Sequence, residues 1–198
     1  MKKVLVINGS QKFMHSKGSL NIHITQFSED YLKNHPNTEV KVTNIDLGYD
    51  IQEEVEKFVW ADVIIYHTPI WWFSIPFAFK KYLDEILTNG EGKIYNSDGR
   101  HRVDPKLNYG TGGLLKGKEY ILTTSWNAPE EAFTLKNEFF EEQSVDAGPM
   151  FGFHKMNQFI GISGAFSYHF YDVMKDPHIE ENLAEYKELL DSYFGKLG

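Results

Sequence analysis

Apolar and polar positions along the chain follow two kinds of pattern. Short apolar runs, which predict buried strands, stand at 2–8, 39–45, 61–69, 119–126 and 157–166. Between these runs the apolar residues return every three or four positions, which predicts helices. Strands that alternate with helices are typical of a parallel sheet with helices on both faces. We therefore expect one α/β domain over residues 1–198, built on a five-stranded parallel sheet.

The helices follow from the spacing of their apolar residues. The first helix is marked by Leu20, Ile24, Phe27 and Tyr31, and the last by Leu183, Tyr186, Leu190 and Tyr193. Shorter helices are predicted at 52–60, 76–87 and 130–143. Pro76 suits the opening of a helix, because the first turn needs no N–H group there. Residues 90–117 are polar and rich in glycine, so they predict a long loop.

Sheet topology predicts where a ligand would bind. Open parallel sheets bind ligands at the carboxyl ends of their strands, near the point where the strand order reverses. The segments after the first, third and fourth predicted strands should therefore meet at one edge. They read NGSQKFMHSKGSLN, HTPIWWFSIP and TTSWNAPEEA, and two of them contain tryptophan.

The first of these segments has the chemistry of an anion site. Ser16, Ser19 and Asn21 offer small polar side chains, and Gly18 permits close approach of the backbone. A helix that begins near Ser19 would direct its free N–H groups and the positive end of its dipole at the loop. The alternative is that Ser19 simply caps this helix.

The second segment places three large rings where a surface loop is usually polar. A flat aromatic ligand would account for Trp71, Trp72 and Phe73, since it could lie against these rings away from water. Two alternatives stay open: the rings belong to the core, or to an interface between subunits. Our expectation is that Trp71 and Trp72 contact the ligand and that Phe73 packs.

Composition narrows the chemistry. The chain has no cysteine, which excludes disulfides, thiolate metal sites and thiol nucleophiles. Its eight histidines lack metal-ligand spacing, so no metal is expected. The net charge of −8 argues against a nucleic-acid partner. No apolar run reaches the roughly 20 residues of a membrane helix, and the N-terminal run is too short for a signal peptide, so we expect a cytoplasmic protein without a membrane span.

Two motifs at the predicted edge resemble those of the flavodoxin-like quinone reductases. The first loop of that family ends in H-S-x-G-x-L-N, here 15–21, and P-x-W-W follows its third strand, here 69–72. Further segments, YGTGGLLKGK and WNAPEEAF among them, stand in the order that the family shows. The resemblance covers nearly the whole chain. It implies a flavodoxin-like fold, a homodimer with active sites near the interface, and FAD held without a covalent bond.

The resemblance also implies which residues bind the cofactor. Residues 16–23 would hold the pyrophosphate and adenosine end, 69–72 would line the flavin ring, and 125–128 would cover its polar edge. Tyr109 would reach the cofactor from the long loop, and the resemblance favours the loop of the partner subunit. The full set is Ser16, Lys17, Gly18, Ser19, Leu20, Asn21, Ile22, His23, Pro69, Ile70, Trp71, Trp72, Tyr109, Ser125, Trp126, Asn127 and Ala128.

The reaction that the resemblance implies is the two-electron reduction of a quinone by NAD(P)H, preferably NADPH. The nicotinamide would pass a hydride to flavin N5, and a quinone would then collect both electrons at the same face, in ping-pong order. Backbone N–H groups near Trp126 and Asn127 would stabilise negative charge on the flavin. Tyr109, His67 or His154 would assist quinone protonation, and no catalytic acid or base is assigned. Two other functions remain open: an FMN-dependent azo- or nitroreductase, and a redox-sensing regulatory subunit without catalysis.

Overall fold

The architecture was taken from a computed structural model of the chain, which describes residues 1–195. Its strands are β1 (Lys2–Asn8), β2 (Thr38–Asn44), β3 (Val63–Pro69), β4 (Glu119–Ser125) and β5 (Ser163–Phe170). Every pair is parallel, and the strands lie in the order β2-β1-β3-β4-β5. The predicted five-stranded parallel sheet is confirmed. The order reverses at β1, because β2 lies on one side of it and β3 on the other.

Helices cover both faces of this sheet, as predicted. They are α1 (Ser19–Lys33), α2 (Ile51–Trp60), α3 (Phe77–Asn89), α4 (Glu131–Thr134), α5 (Phe151–Ile160) and α6 (Ile179–Phe194). The apolar faces of α1 and α6 pack on one side of the sheet, and those of α2, α3 and α5 pack on the other. Among residues 1–195, no helix has both the length and the apolar character needed to cross a bilayer.

The central strands are buried on both faces, which explains their continuous apolar runs. In β3, for example, Ile64 belongs to the core beneath α2, α3 and α5, and Ile65 to the core beneath α1 and α6. At the carboxyl ends of the strands the buried side chains become polar. His67 and Thr68 lie next to the end of β3, and residues 123–125 end β4. Buried hydroxyl groups and the imidazole of His67 therefore lie beneath the edge that is predicted to bind a ligand.

The predicted helix at 130–143 is wrong in its length. Only Glu131–Thr134 is helical, and Asn137 and Glu141 then adopt left-handed backbone angles, with φ of 65° and 53°. Such angles are incompatible with a right-handed helix. The irregular path lets Phe140 fold back onto Phe133, with 4.0 Å between the ring centroids and 5° between the ring planes. Aromatic packing thus replaces helical hydrogen bonds in this segment.

The last predicted strand, at 157–166, is misplaced. Residues 157–160 belong to α5, and β5 is Ser163–Phe170. Phe153, Asn157 and Ile160 are buried on one side of α5, so the stretch follows a helical spacing although its composition favours a strand. The loop that reaches the ligand edge after the last strand therefore begins after Phe170.

His67 gives the fold a specific pH dependence. Its side chain is fully buried, and its Nδ1 lies 2.6 Å from Thr123 Oγ1 in a hydrogen bond. Its Nε2 has no hydrogen-bond partner among residues 1–195. Burial lowers the pKa of His67 from 6.5 to about 3. Between these values the unfolded chain binds a proton that the folded protein excludes.

We expect the contribution of His67 to the free energy of unfolding to be complete above pH 6.5 and to be lost as the pH falls towards 3. The loss should approach 1.4 kcal/mol per pH unit, because about one proton separates the two states. Urea unfolding across this range, compared with the variant His67→Gln, measures it. Gln is polar but does not titrate, so equal slopes in the two proteins would contradict the prediction.

Candidate functional site

A cleft of about 550 Å³ opens at the carboxyl edge of the sheet. Four segments line it: 15–21 after β1, 69–71 at the end of β3, Ser125 and Asn127 at the end of β4, and 173–174 after β5. The first three were expected from the sequence. The fourth was missed because the last strand was placed too early in the chain. The volume is in the range of small-molecule sites.

Most of the predicted cofactor-binding residues come together at this cleft. Those in its lining are Ser16, Lys17, Gly18, Ser19, Leu20, Asn21, Pro69, Ile70, Trp71, Ser125 and Asn127. His15, Val173 and Met174 complete the lining and had not been predicted. His15 was within reach of sequence reasoning, because it opens the H-S-x-G-x-L-N motif.

The other predicted residues have different surroundings. Ile22 lines a small polar recess beside the cleft, and His23 lines a groove between α1 and α6. The side chain of Trp126 is buried in the core, and Ala128 packs against that core. Tyr109 is 70% exposed and lies beside α5. None of these five residues lines the cleft of the single chain.

The start of α1 contributes free backbone donors to the cleft. Gly18 is the N-cap residue, with a left-handed φ of 68°, and no side chain caps the helix. Ser19 is the first helical residue, so the alternative that it caps α1 is wrong. A Cβ at residue 18 would lie 2.9 Å from Ser10 Oγ, and the turn therefore depends on glycine. The first N–H groups of a helix lack intrahelical partners and attract anions.

Asn21 joins this helix start to the end of β4. Its Nδ2 donates a 3.0 Å hydrogen bond to Ser125 Oγ. Its Oδ1 is buried and accepts no hydrogen bond from residues 1–195. Leaving such an oxygen unpaired costs about 1–3 kcal/mol. Since Asn21 lines the cleft, a donor group of a ligand would offset that cost.

Residues 71–74 form a tight β-hairpin. Trp71 and Ser74 exchange both backbone hydrogen bonds, at 2.8 and 3.1 Å. The two residues between them, Trp72 and Phe73, have φ of 48° and 65°. A hairpin turn with both central φ values positive is normally made by Asn-Gly. Aromatic residues in this conformation cost about 1–2 kcal/mol each.

The hairpin sends its three rings to different places. Trp71 lines the cleft. Phe73 stacks on Phe139, with 5.3 Å between ring centroids, which is the packing role expected of it. Trp72 is 93% exposed, so its side chain is not part of the core. Within one chain, Trp72 stands at the tip of the hairpin and outside the cleft.

Phe13 supports Trp71 and was missed by sequence reasoning. Phe13 and Ser16 exchange backbone hydrogen bonds of 3.1 and 2.9 Å, which makes a second tight hairpin in the first loop. The ring of Phe13 lies 5.6 Å from that of Trp71 and 5.3 Å, edge-on, from that of Phe77. A lone aromatic residue just before the H-S-x-G motif was the available signal.

The backbone at the end of β4 is hydrogen-bonded to the neighbouring strand β5. The N–H of Trp126 donates a 2.8 Å hydrogen bond to the carbonyl of Phe170, so this group is not free for a ligand. This corrects the expectation that it stabilises a cofactor. The N–H of Asn127 forms no hydrogen bond with the rest of residues 1–195, and Asn127 lines the cleft. It is the available donor of this pair.

The two histidines considered as proton donors lie outside the cleft lining. His67 is buried and bonded to Thr123. The Nε2 of His154 lies 2.8 Å from Asp146 Oδ1, and its Nδ1 forms a hydrogen bond with the hydroxyl of Tyr120. Both rings are therefore engaged within the protein.

Comparison with known proteins agrees with the strand order, which is that of flavodoxin. Residues 2–193 match the family Flavodoxin_2, described as having a flavodoxin-like fold. The chain belongs to this family. It is 46% identical over 192 residues to the NADPH:quinone oxidoreductase MdaB of Haemophilus influenzae, a match that covers 97% of this chain and 99% of the relative. The resemblance drawn from the motifs is confirmed.

Solved structures show the same fold at lower identity. A candidate quinone reductase from Klebsiella pneumoniae superposes with a TM-score of 0.73 and 21% identity, covering 100% of this chain and 85% of the other. General stress protein 14 of Treponema denticola, solved in complex with FMN, gives a TM-score of 0.66 and 18% identity, with 100% of both chains covered. These likenesses support the fold of this flavodoxin-like chain.

The strained hairpin gives a stability prediction. We expect Trp72→Asn to raise the free energy of unfolding by about 1 kcal/mol relative to Trp72→Ala, because asparagine tolerates a left-handed backbone and alanine does not. Since the Trp72 side chain is 93% exposed, neither substitution removes core packing. Urea denaturation of the two variants tests this. Equal stability, or a less stable asparagine variant, would show that the turn is not strained.

Proposed function

We propose that this protein is an FAD-dependent reductase that transfers two electrons from NADPH to quinones. The cleft carries the proposal, because it combines free helix N–H groups at 18–21 with the flat side chain of Trp71 and the polar end of β4. The NADPH:quinone oxidoreductase MdaB, 46% identical over nearly the full length of both chains, supports the same activity.

The lining fits the separate parts of a flavin nucleotide. The glycine turn and helix start would hold phosphate, and Pro69, Ile70 and Trp71 would lie along the ring system. Ser125 and Asn127 would face its polar edge, with the free N–H of Asn127 as a donor. When bound, the flavin would supply the redox chemistry for a two-electron transfer from NADPH to the quinone, which we propose to follow ping-pong order.

The residues of the chain orient and shield the reacting groups. Trp71, supported by Phe13, covers one side of the cleft and excludes water. The buried Oδ1 of Asn21 is placed to accept a hydrogen bond from a ligand. Among the lining residues that the structure describes, only His15 and Lys17 have side chains that can carry charge. An anionic phosphate therefore meets no carboxylate in that lining, despite the net charge of −8.

FAD rather than FMN is the cofactor that we propose. A recess of about 140 Å³ continues from Lys17 towards the ends of β1 and β2, and its lining includes Ile22, Asn8, Asn44 and Asp46. Amide and carboxylate groups at this position suit the hydroxyl groups of a ribose. An FMN molecule ends at its phosphate and would leave this recess without a role.

The second candidate function is an FMN-dependent azo- or nitroreductase. It is favoured by the Treponema denticola structure in complex with FMN, which shares this fold. The free N–H groups at the start of α1 would serve the phosphate of FMN equally well. A third possibility, a redox-sensing regulatory subunit, shares the cleft and differs in lacking turnover.

We expect the purified protein to show the absorbance bands of an oxidised flavin, which anaerobic NADPH bleaches and menadione restores. Heat-released cofactor should migrate as FAD on chromatography. Release of FMN, together with turnover of azo dyes, would favour the second function. Bleaching without steady NADPH oxidation would favour the regulatory one. A colourless protein that takes up neither flavin would contradict all three.

Matched tryptophan variants test the assignment of the cleft. Trp71→Ala should weaken flavin binding by about tenfold or more, since it removes the aromatic wall of the cleft. Trp72→Ala, in the same hairpin but exposed, should have a smaller effect. Fluorescence titration of cofactor-free protein with FAD measures both. Equal losses would place Trp72 at the flavin as well.

We also infer that the protein is a homodimer in which Tyr109 reaches the cofactor of the partner. A mostly apolar groove of about 390 Å³ runs between α3 and α5, and its lining includes Leu83, Leu87, Met150, Phe153 and Met156. Tyr109 lies in an adjoining groove that shares Leu87 and Met156. Apolar surface of this kind is typical of an interface between copies of a chain.

The dimer has a direct test. The wild type should have a mass in solution twice the 23.0 kDa of the chain. Met156→Glu should reduce it to that of a monomer, because a charge in the apolar groove would lose its water on association. Light scattering after size-exclusion chromatography measures this. Val59→Glu, on α2 and outside this groove, is the control. A monomeric wild type would contradict the inference.

A further inference from the structure

Behind the cleft, a sequence of polar contacts runs from a carboxylate to the end of β4. Asp146 lies in the irregular segment between α4 and α5, and its Oδ1 stands 3.6 Å from Nε2 of His169 in β5. The Nδ1 of His169 forms a 2.7 Å hydrogen bond with Thr124 Oγ1. Thr124 Oγ1 also accepts a 2.7 Å hydrogen bond from the indole Nε1–H of Trp126.

The charge of Asp146 determines which atom donates and which accepts in these hydrogen bonds. At 3.6 Å the contact between Asp146 and His169 is electrostatic rather than a good hydrogen bond. It still favours the imidazole tautomer that carries its proton on Nε2, next to the negative charge. Nδ1 is then an acceptor, so the hydroxyl of Thr124 donates to it. The oxygen of Thr124 remains free to accept from Trp126.

A second histidine anchors Asp146. His154 of α5 donates from Nε2 to Asp146 Oδ1 over 2.8 Å, and its Nδ1 faces the hydroxyl of Tyr120. Although partial burial acts in the opposite direction, His154 and His169, together with Ser167, hold the pKa of the Asp146 carboxyl below its usual range. Asp146 is therefore a charged acceptor at neutral pH, bound to two elements at once.

These contacts end next to the ligand. Thr124 and Trp126 flank Ser125, which lines the cleft and accepts the hydrogen bond from Asn21. Asn127, with its free N–H, follows directly. The polar side chains of this segment alternate between the cleft and the layer behind it. Contacts that orient Thr124 and Trp126 therefore also orient Ser125 and Asn127, which line the cleft.

We propose that Asp146 is a positioning residue for the cofactor: it holds His169 in one tautomer, and through Thr124 this fixes the part of β4 that meets the flavin. The proposal rests on the proposed function, since the ligand it serves is the flavin. Asp146 itself lies outside the cleft lining. Its role requires no proton transfer during the reaction.

Two variants interrupt the contacts at different points. Asp146→Asn removes the charge that selects the tautomer, and Thr124→Val removes the hydroxyl that transmits it. We expect each to raise the dissociation constant for FAD by about fivefold. Because both act on one path, the double variant should also lose about fivefold, whereas independent effects would multiply to about 25-fold.

The tautomer of His169 supplies a readout that does not depend on activity. In ¹⁵N NMR of the cofactor-free wild type, His169 should show a single tautomer protonated at Nε2, and Asp146→Asn should convert it to a mixture. Thr124→Ser keeps the hydroxyl and should retain wild-type affinity, which also separates loss of the contact from misfolding. Asp176→Asn alters the exposed contact between Asp176 and His178. It is the matched control and should leave the affinity unchanged.

An unchanged tautomer in Asp146→Asn overturns the proposal, as do affinities within twofold of the wild type or losses that multiply in the double variant. A wild type that binds no flavin overturns the proposed function. In that case the tautomer of cofactor-free Asp146→Asn still decides whether Asp146 orients His169. The two failures are therefore distinguishable.

Discussion

The parallel pairing of β1 with β3 is the interaction on which the site depends. The two strands run in register from Val4 beside Val63 to Asn8 beside His67, and the N–H of Gly9 extends the ladder with a 2.7 Å bond to the carbonyl of His67. At this point the strand order reverses, so the chains leaving the two strands diverge to opposite faces of the sheet. The opening between them becomes the cleft, and β4 and β5 add their ends on one side.

The region around this opening carries several unfavourable local features at once. Trp72 and Phe73 hold left-handed backbone angles, and Asn21 and His67 each keep a buried polar atom without a partner among residues 1–195. Outliers of this kind persist only where the surrounding structure determines them, and they concentrate at functional sites. Here two large apolar cores, one on each face of the sheet, supply that surrounding structure.

Sequence patterns predicted the first four strands well and the elements between residues 130 and 170 less well. Strands β1, β3 and β4 are buried on both faces, so their apolar runs mark them within two residues. The edge strand β5 has mostly half-buried positions, so its apolar pattern is weak. The stronger apolar run at the end of α5 was predicted as the strand instead. The path of 135–150 includes left-handed backbone angles that let Phe140 stack on Phe133, and the apolar spacing does not predict these angles.

The candidate site divides in the same way. The loop positions of Ser16–Asn21 and of Trp71 follow from topology, because parallel strands must end at one edge. Topology does not predict whether each of these side chains points into the cleft, into the core or to solvent. Trp126 turns into the core where Thr124 and the surrounding aromatic rings receive it, and a hairpin of unusual composition directs Trp72 outwards. The first outcome depends on side-chain packing and the second on left-handed backbone angles, and the spacing of apolar residues predicts neither.

The cleft is assembled from four chain segments that begin near residue 15 and end near residue 174. No single secondary-structure unit or short stretch of the chain contains all of them, so a ligand recognises the folded protein and not a local piece of it. Binding to the native state alone stabilises it in proportion to the logarithm of the free ligand concentration. In a cell, where unfolded chains are continuously removed by proteases, the supply of cofactor would thus regulate how much of this protein survives.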